Sequence, residues 1–154
     1  MPEFILAKTP EDYNAAAGLF REYAAWLNID LCFQNFEAEL LTLDKMYALP
    51  HGGIILCKEN EAFIGCVGIR KIDDDIAEMK RMWIQTDQHG RGLGSALLEK
   101  AIDLAKDCGY KKIRLDTLNS MMPAISLYRK NGFLEIPSYY HNPDERALYF
   151  EKLL

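Results

Sequence analysis

The clearest chemistry lies between Ala77 and Cys108, where Gly90-Arg91-Gly92-Leu93-Gly94 joins an apolar strand-like run to an amphipathic helical run. Glycines at the mouth of a helix let backbone N–H groups approach an anion with no Cβ in the way. The first amides of the helix lack partners within it and carry about half a positive charge. Together these make a phosphate cradle, and Arg91 can add a charge-assisted contact. The alternative is a loop that only needs positive φ before a helix. Upstream, alternation along the strand puts Glu78, Lys80, Met82 and Ile84 on one face. A carboxylate and an ammonium then project about 6.6 Å apart along the strand.

The rest of the chain must hold this stretch. Phe4–Lys8 reads as a short strand. Thr9-Pro10-Glu11-Asp12 starts a helix that runs to Leu27, with Thr9 as cap and Pro10 in the first turn. A second helical pattern covers Phe36–Tyr47. Ile54–Lys58 and Ala62–Lys71 form a hairpin, and Ile76–Ile84 follows after the Asp73-Asp74-Asp75 turn, completing an antiparallel meander. Those three acids fit a solvated turn better than a metal loop. The helix from Leu93 carries Leu97, Ala101, Leu104 and Cys108 on one stripe and stops at Gly109. The strand Lys112–Thr117 is then a parallel neighbour of Ile76–Ile84. Pro123 opens a helix ending at Gly132, and the strands Phe133–Ile136 and Ala147–Leu153 close the chain around the connection Pro137–Arg146. The expectation is a single α/β (α+β) domain over residues 1–154, with a mixed sheet of about seven strands and four helices.

Composition sets outer bounds. At 154 residues, 49% hydrophobic and 27% charged, the chain is long enough for one real core. A net charge of −5 with no basic cluster speaks against a nucleic-acid partner. Cys32, Cys57, Cys66 and Cys108 form no C-x-x-C pair, which fits reduced thiols and no zinc site. No apolar run reaches membrane-spanning length, and the expected location is the cytoplasm.

His89-Gly90-Arg91-Gly92-Leu93-Gly94 resembles the acyl-CoA loop of the GNAT superfamily of N-acetyltransferases, Gln/Arg-x-x-Gly-x-Gly/Ala, with His89 departing at its first position. Ala124-Ile-Ser-Leu-Tyr-Arg-Lys-Asn-Gly-Phe133 resembles the same family's A-x-x-L-Y-x-x-x-G-F signature, and the order of elements agrees. The family often has Asn three residues before that Ala; here Met121 stands there, with Asn119 two earlier. The resemblance implies acetyl transfer from acetyl-CoA, without a metal, to an amine of a small molecule or peptide. An alkyl amine with a pKa of about 10 is about 99.9% protonated at pH 7, so a base is needed. The resemblance points to Glu78 for it and to Tyr128 as the acid at the leaving thiolate. It also implies cofactor contacts from Met82, Trp83 and Ile84 on the strand, from His89, Gly90, Arg91, Gly92, Leu93, Gly94 and Ser95 in the loop, and from Asn119, Ala124 and Tyr128.

The acceptor pocket in such an architecture draws on Tyr23, Trp26, Phe33, Phe36, Tyr139 and Tyr140, each of which can equally be core. A buried Lys80 beside it would repel a diamine and attract an acceptor with a carboxylate near its amine; alternatively Lys80 only pairs with Glu78 or Asp116. Homodimerisation is left open. Two other readings compete. A dinucleotide enzyme fails on spacing, G-x-G-x-G where G-x-G-x-x-G is needed. A non-catalytic CoA-binding module on the same fold is not separable by sequence.

Overall fold

The computed structural model describes residues 1–28, 31 and 35–154. Seven strands form one sheet: β1 (Glu3–Leu6), β2 (Gly53–Glu59), β3 (Ala62–Lys71), β4 (Ile76–Ile84), β5 (Lys112–Leu118), β6 (Leu134–Ile136) and β7 (Ala147–Leu153). Their spatial order is β1-β2-β3-β4-β5-β7-β6. Every neighbouring pair is antiparallel except β4 and β5. That parallel pair needs a crossover, which the helix α4 (Leu93–Asp107) provides.

The helix α1 (Pro10–Leu27) starts at a capping box. Thr9 Oγ1 accepts from the Asp12 N–H at 3.1 Å, and the Asp12 carboxylate accepts from the Thr9 N–H at 3.2 Å. The expected helix over 36–47 is instead two, α2 (Phe36–Leu41) and α3 (Leu43–Met46). Thr42 breaks it: its φ is −131° and its hydroxyl donates to Ala38 O at 2.9 Å, a side-chain bond that competes with the helical ladder. With α5 (Met122–Lys130), the described residues hold five helices rather than four. None is long and apolar enough to cross a membrane.

Two apolar clusters lie on opposite faces of the sheet. One gathers Leu97, Leu98 and Ala101 of α4 and Ile125 and Tyr128 of α5 over Ala77, Met79, Ile113 and Leu115. The other gathers Ala16, Leu19 and Phe20 of α1 with Phe36, Tyr47, Leu56 and Trp83.

Strand β4 does not alternate throughout, and this corrects the expectation that Glu78, Lys80, Met82 and Ile84 share a face. Gly68 pairs with Lys80 and Cys66 with Trp83, so Val67 opposes both Arg81 and Met82. Arg81 takes φ +60° at this bulge. The extra residue turns Met82 and Ile84 toward the α4/α5 cluster, while Trp83 belongs to the α1 side. The bulge is pinned from a distance. Arg81 donates to Glu39 through Nε at 3.1 Å and Nη2 at 2.9 Å, with both side chains buried. Its guanidinium lies 5.2 Å from the Phe36 ring centroid, and the Cys66 thiol donates to Arg81 O at 3.3 Å. Removing one partner of a buried ion pair costs about 3–5 kcal/mol. Glu39→Ala is therefore expected to lower the melting temperature by on the order of 10 °C, at about 2–4 °C per kcal/mol for this size. Thermal unfolding followed by circular dichroism checks it, and an unchanged midpoint would mean that the pair does not hold the bulge.

Candidate active site

Strands β4 and β5 pair only through Ile76↔Lys112, Ala77↔Ile113 and Glu78↔Arg114. Beyond these, the two strands part. The Gln85 N–H donates to Ile64 O at 3.0 Å, on the β3 side. Backbone groups alternate along a strand, so the N–H groups of Ile84 and Met82 turn into the gap between β4 and β5. The gap opens onto a cleft of about 700 Å³, mostly apolar, walled by Tyr23, Trp26, Met82, Trp83, Ile84, Ala124 and Leu127.

The glycine loop closes the far end of this cleft. Gly90 (φ +83°) and Gly92 (φ +76°) are left-handed, and a Cβ on either would meet nothing within 4 Å. Glycine is required there by backbone conformation, not by crowding. At Gly94, inside α4, a Cβ would lie 3.9 Å from Leu127, an ordinary contact. Leu93 is buried and Ser95 is exposed on the first helical turn. The His89 ring sits with Nε2 2.8 Å from Ile84 O and edge-on to Trp83, tying the loop to the end of β4. Arg91 does not line the cleft. Its two Nη atoms each lie 2.9 Å from a Glu59 carboxylate oxygen. Asn119 also lies off the cleft wall, where Ser120 and Met121 stand instead, and its N–H donates to Arg146 O at 2.8 Å.

Below the gap is a tight cavity of about 90 Å³, lined by Tyr23, Lys80, Met82, Asp116, Thr117 and Tyr128 among others. Tyr128 packs against Phe133 and Phe150, and burial pushes its hydroxyl well up, so it stays a proton donor. Burial pushes Tyr23 up to about 12.

The face of β3, β4, β5 and β7 around Glu78 carries a row of charges. Arg70 donates to Glu78 Oε1 through Nε and Nη2, both at 2.9 Å, and Lys80 Nζ lies 4.0 Å from the same oxygen. Arg114 donates to Glu151 at 2.7 Å. The connection 137–146 roofs this row. Tyr139 donates to Glu78 Oε2 at 2.7 Å and Tyr140 donates to Asp116 Oδ2 at 2.8 Å. Their rings meet each other and Tyr149 edge-on, and Arg114 lies over Tyr139. A cavity of about 350 Å³ opens between the roof and Arg70, Lys71, Glu78 and Lys80. Burial, then the nearby Arg81, brings Lys80 down to about 8. Burial raises Asp116 above the ordinary carboxylate range.

The structure thus brings together Glu78, Lys80, Tyr139 and Tyr140, and separately Tyr23, Trp26, Met82, Trp83, Ile84, Ala124 and the glycine loop. Lys80 lines both the tight cavity and the roofed one. Phe36 is core beneath Arg81 rather than a pocket wall, and Phe33 lies outside the described residues. Sequence reasoning missed Arg70 and gave Asp116 only a possible pairing with Lys80. Arg70 was legible in principle, because counting the hairpin turn back from the acids puts it opposite Glu78.

Known proteins share this fold. The family described as "Acetyltransferase (GNAT) family" matches residues 20–133. An uncharacterized N-acetyltransferase of Schizosaccharomyces pombe is 33% identical over 144 residues, covering 92% of this chain and 88% of that protein. Among solved structures, an acetyltransferase from Streptococcus agalactiae superposes with a TM-score of 0.81 at 24% identity, over 99% of this chain and 98% of that one. A GNAT family acetyltransferase from Elizabethkingia anophelis with acetyl-CoA bound gives a TM-score of 0.68 at 22% identity, over 99% and 98%. The chain belongs to the GNAT acetyltransferase family and is an N-acetyltransferase.

Proposed function

We propose that the chain moves the acetyl group of acetyl-CoA to an amine of a small molecule or peptide, by direct attack in a ternary complex. The observation that carries this reading is the parting of β4 and β5 above a cleft that ends at a left-handed glycine loop and a helix N-terminus. The pantetheine amides pair with the Met82 and Ile84 backbone as an added strand. The pyrophosphate rests on the amides from Gly90 to Ser95. Arg91 joins only by leaving Glu59.

The free amine attacks the thioester carbonyl carbon; the C–N bond forms and the C–S bond breaks. The Met82 N–H stabilises the oxyanion of the intermediate. Tyr128 gives its proton to the departing sulfur, the product is the thiol of CoA, and Tyr128 is reprotonated by the second proton that the nitrogen sheds as the intermediate collapses to the amide. Glu78 takes the amine's proton, directly or through one water, and passes it to solvent. For this Tyr139 must yield, since its hydroxyl holds Glu78 Oε2. A second assignment of the base has one observation in its favour. Asp116 lines the cavity directly below the gap, and burial raises its pKa toward that of a base working at neutral pH. Asp116→Asn against Glu78→Gln separates the two.

The binding half of this reading is tested by thermal shift. Acetyl-CoA at about 100 times its Kd adds about 2.7 kcal/mol, which is a rise of about 5–11 °C at this chain length. NADH should give none. A rise with NADH and none with acetyl-CoA would sink the reading.

A further inference from the structure

We infer that Glu59, at the end of β2 and outside the cleft, is a positioning residue for the cofactor: through its ion pair with Arg91 it holds the glycine loop in the shape of the cradle before acetyl-CoA arrives. The inference rests on the acetyl-CoA reading above, and it assigns Arg91 to the anchorage of the loop instead of to the phosphates.

The loop's residues divide between its two sides. Residues 88–90 and 92–94 line the cleft, and Arg91 between them does not. Flanked by two glycines of positive φ, its side chain leaves toward the β2–β3 hairpin. Nη1 and Nη2 each lie 2.9 Å from a different oxygen of Glu59, the fork-to-fork geometry that fixes direction as well as distance. Nη1 also donates to Gln88 Oε1 at 2.6 Å, so one guanidinium joins the hairpin to the turn that precedes the glycines. The Met1 amino group lies 3.9 Å from the same carboxylate, beyond hydrogen-bond reach, and does not replace the fork.

The glycines themselves do little to hold the loop. A Cβ at Gly90 or Gly92 would meet no atom within 4 Å, so neither residue is wedged in place by a neighbour. Glycine also has the most conformational freedom to lose on ordering. Two side chains make up for this. His89 fastens the loop to Ile84 O, and Arg91 fastens it to Glu59. A loop already ordered leaves less for the ligand to order, which raises affinity. The sign of Glu59's effect separates this role from direct phosphate binding. An arginine drawn to the pyrophosphate would have to give up Glu59, and Glu59 would then compete with the cofactor. As an anchor, Glu59 assists it.

The test measures the Kd of acetyl-CoA by isothermal titration calorimetry for wild type, Glu59→Gln, Arg91→Gln and the two combined. Each single variant should raise Kd about 3–5-fold, the upper range for a well-formed surface pair. The double variant should bind about as weakly as the weaker single one, because both remove the same contact. In turnover, Glu59→Gln should raise the KM for acetyl-CoA and change kcat by less than about twofold, a split that general loss of structure would not give. A Kd for Glu59→Gln equal to or below that of wild type overturns the anchor, as does a double variant whose loss is the product of the two single losses. If wild type binds no acetyl-CoA, the transfer reading itself falls. The anchor is then decided without ligand, by hydrogen exchange at the first bonded amides of α4, beginning with the Ala96 N–H on Gly92 O at 3.2 Å. Exchange at least about threefold faster in Glu59→Gln supports it, and unchanged exchange overturns it.

Discussion

Gly92→Asp should abolish the stabilisation by acetyl-CoA while leaving a folded protein. The residue caps α4 at φ +76°, a conformation Asp tolerates better than most residues, at a cost on the order of 1–3 kcal/mol. Its Cβ meets no atom within 4 Å, so the fold does not need to move to admit it. The new carboxylate, however, occupies the mouth of the helix where the pyrophosphate is proposed to rest, and it repels the same charge. The expected result is a ligand-free midpoint lower by several degrees and a cofactor shift cut from the predicted 5–11 °C to about 1 °C or less. An undiminished shift would move the phosphate site away from the loop.

The second large effect is on turnover. Glu78→Gln should lower kcat by about 10²–10⁴ if Glu78 is the base, most strongly at low pH, where the free amine is scarcest. Acetyl-CoA affinity should barely change, since Glu78 lies outside the cofactor cleft. The variant should also melt earlier, because Arg70 and the buried Lys80 lose the carboxylate between them. Tyr128→Phe should separate differently. The ring contacts with Phe133 and Phe150 persist, so stability should hold, while kcat falls without the proton for the leaving sulfur. Full activity in both variants would leave positioning alone as the source of rate.

Local signals carried much of the fold and part of the site. The strands β3, β4 and β7 and the start of α1 were readable because period-two apolar runs, turn residues and a capping box act over a few residues. The glycine loop was readable because Gly90 and Gly92 have a backbone reason to be glycine. The face of the β4 residues was not. The bulge depends on Arg81 reaching Glu39, 42 positions away, and alternation counted along one strand cannot register an extra residue. The β3–β4 register was closer to hand. Asp73 Oδ1 accepts from the N–H groups of Asp75 and Ile76, which fixes the turn and puts Arg70 against Glu78. Tyr139 and Tyr140 were named as walls from their type and place. That each hydroxyl holds a specific carboxylate follows from the path of 137–146 over the sheet, which no local pattern encodes.

One measurement bears most directly on acetyl transfer through this site: the initial rate of thiol release from acetyl-CoA by wild-type protein across amines, amino acids and peptides. Amine-dependent release, with the N-acetylated product found by mass spectrometry and the rate reduced in Glu78→Gln, is the predicted result. Acetyl-CoA binding by thermal shift without amine-dependent release for any acceptor would contradict it, and would leave a CoA-binding module built on an acetyltransferase fold.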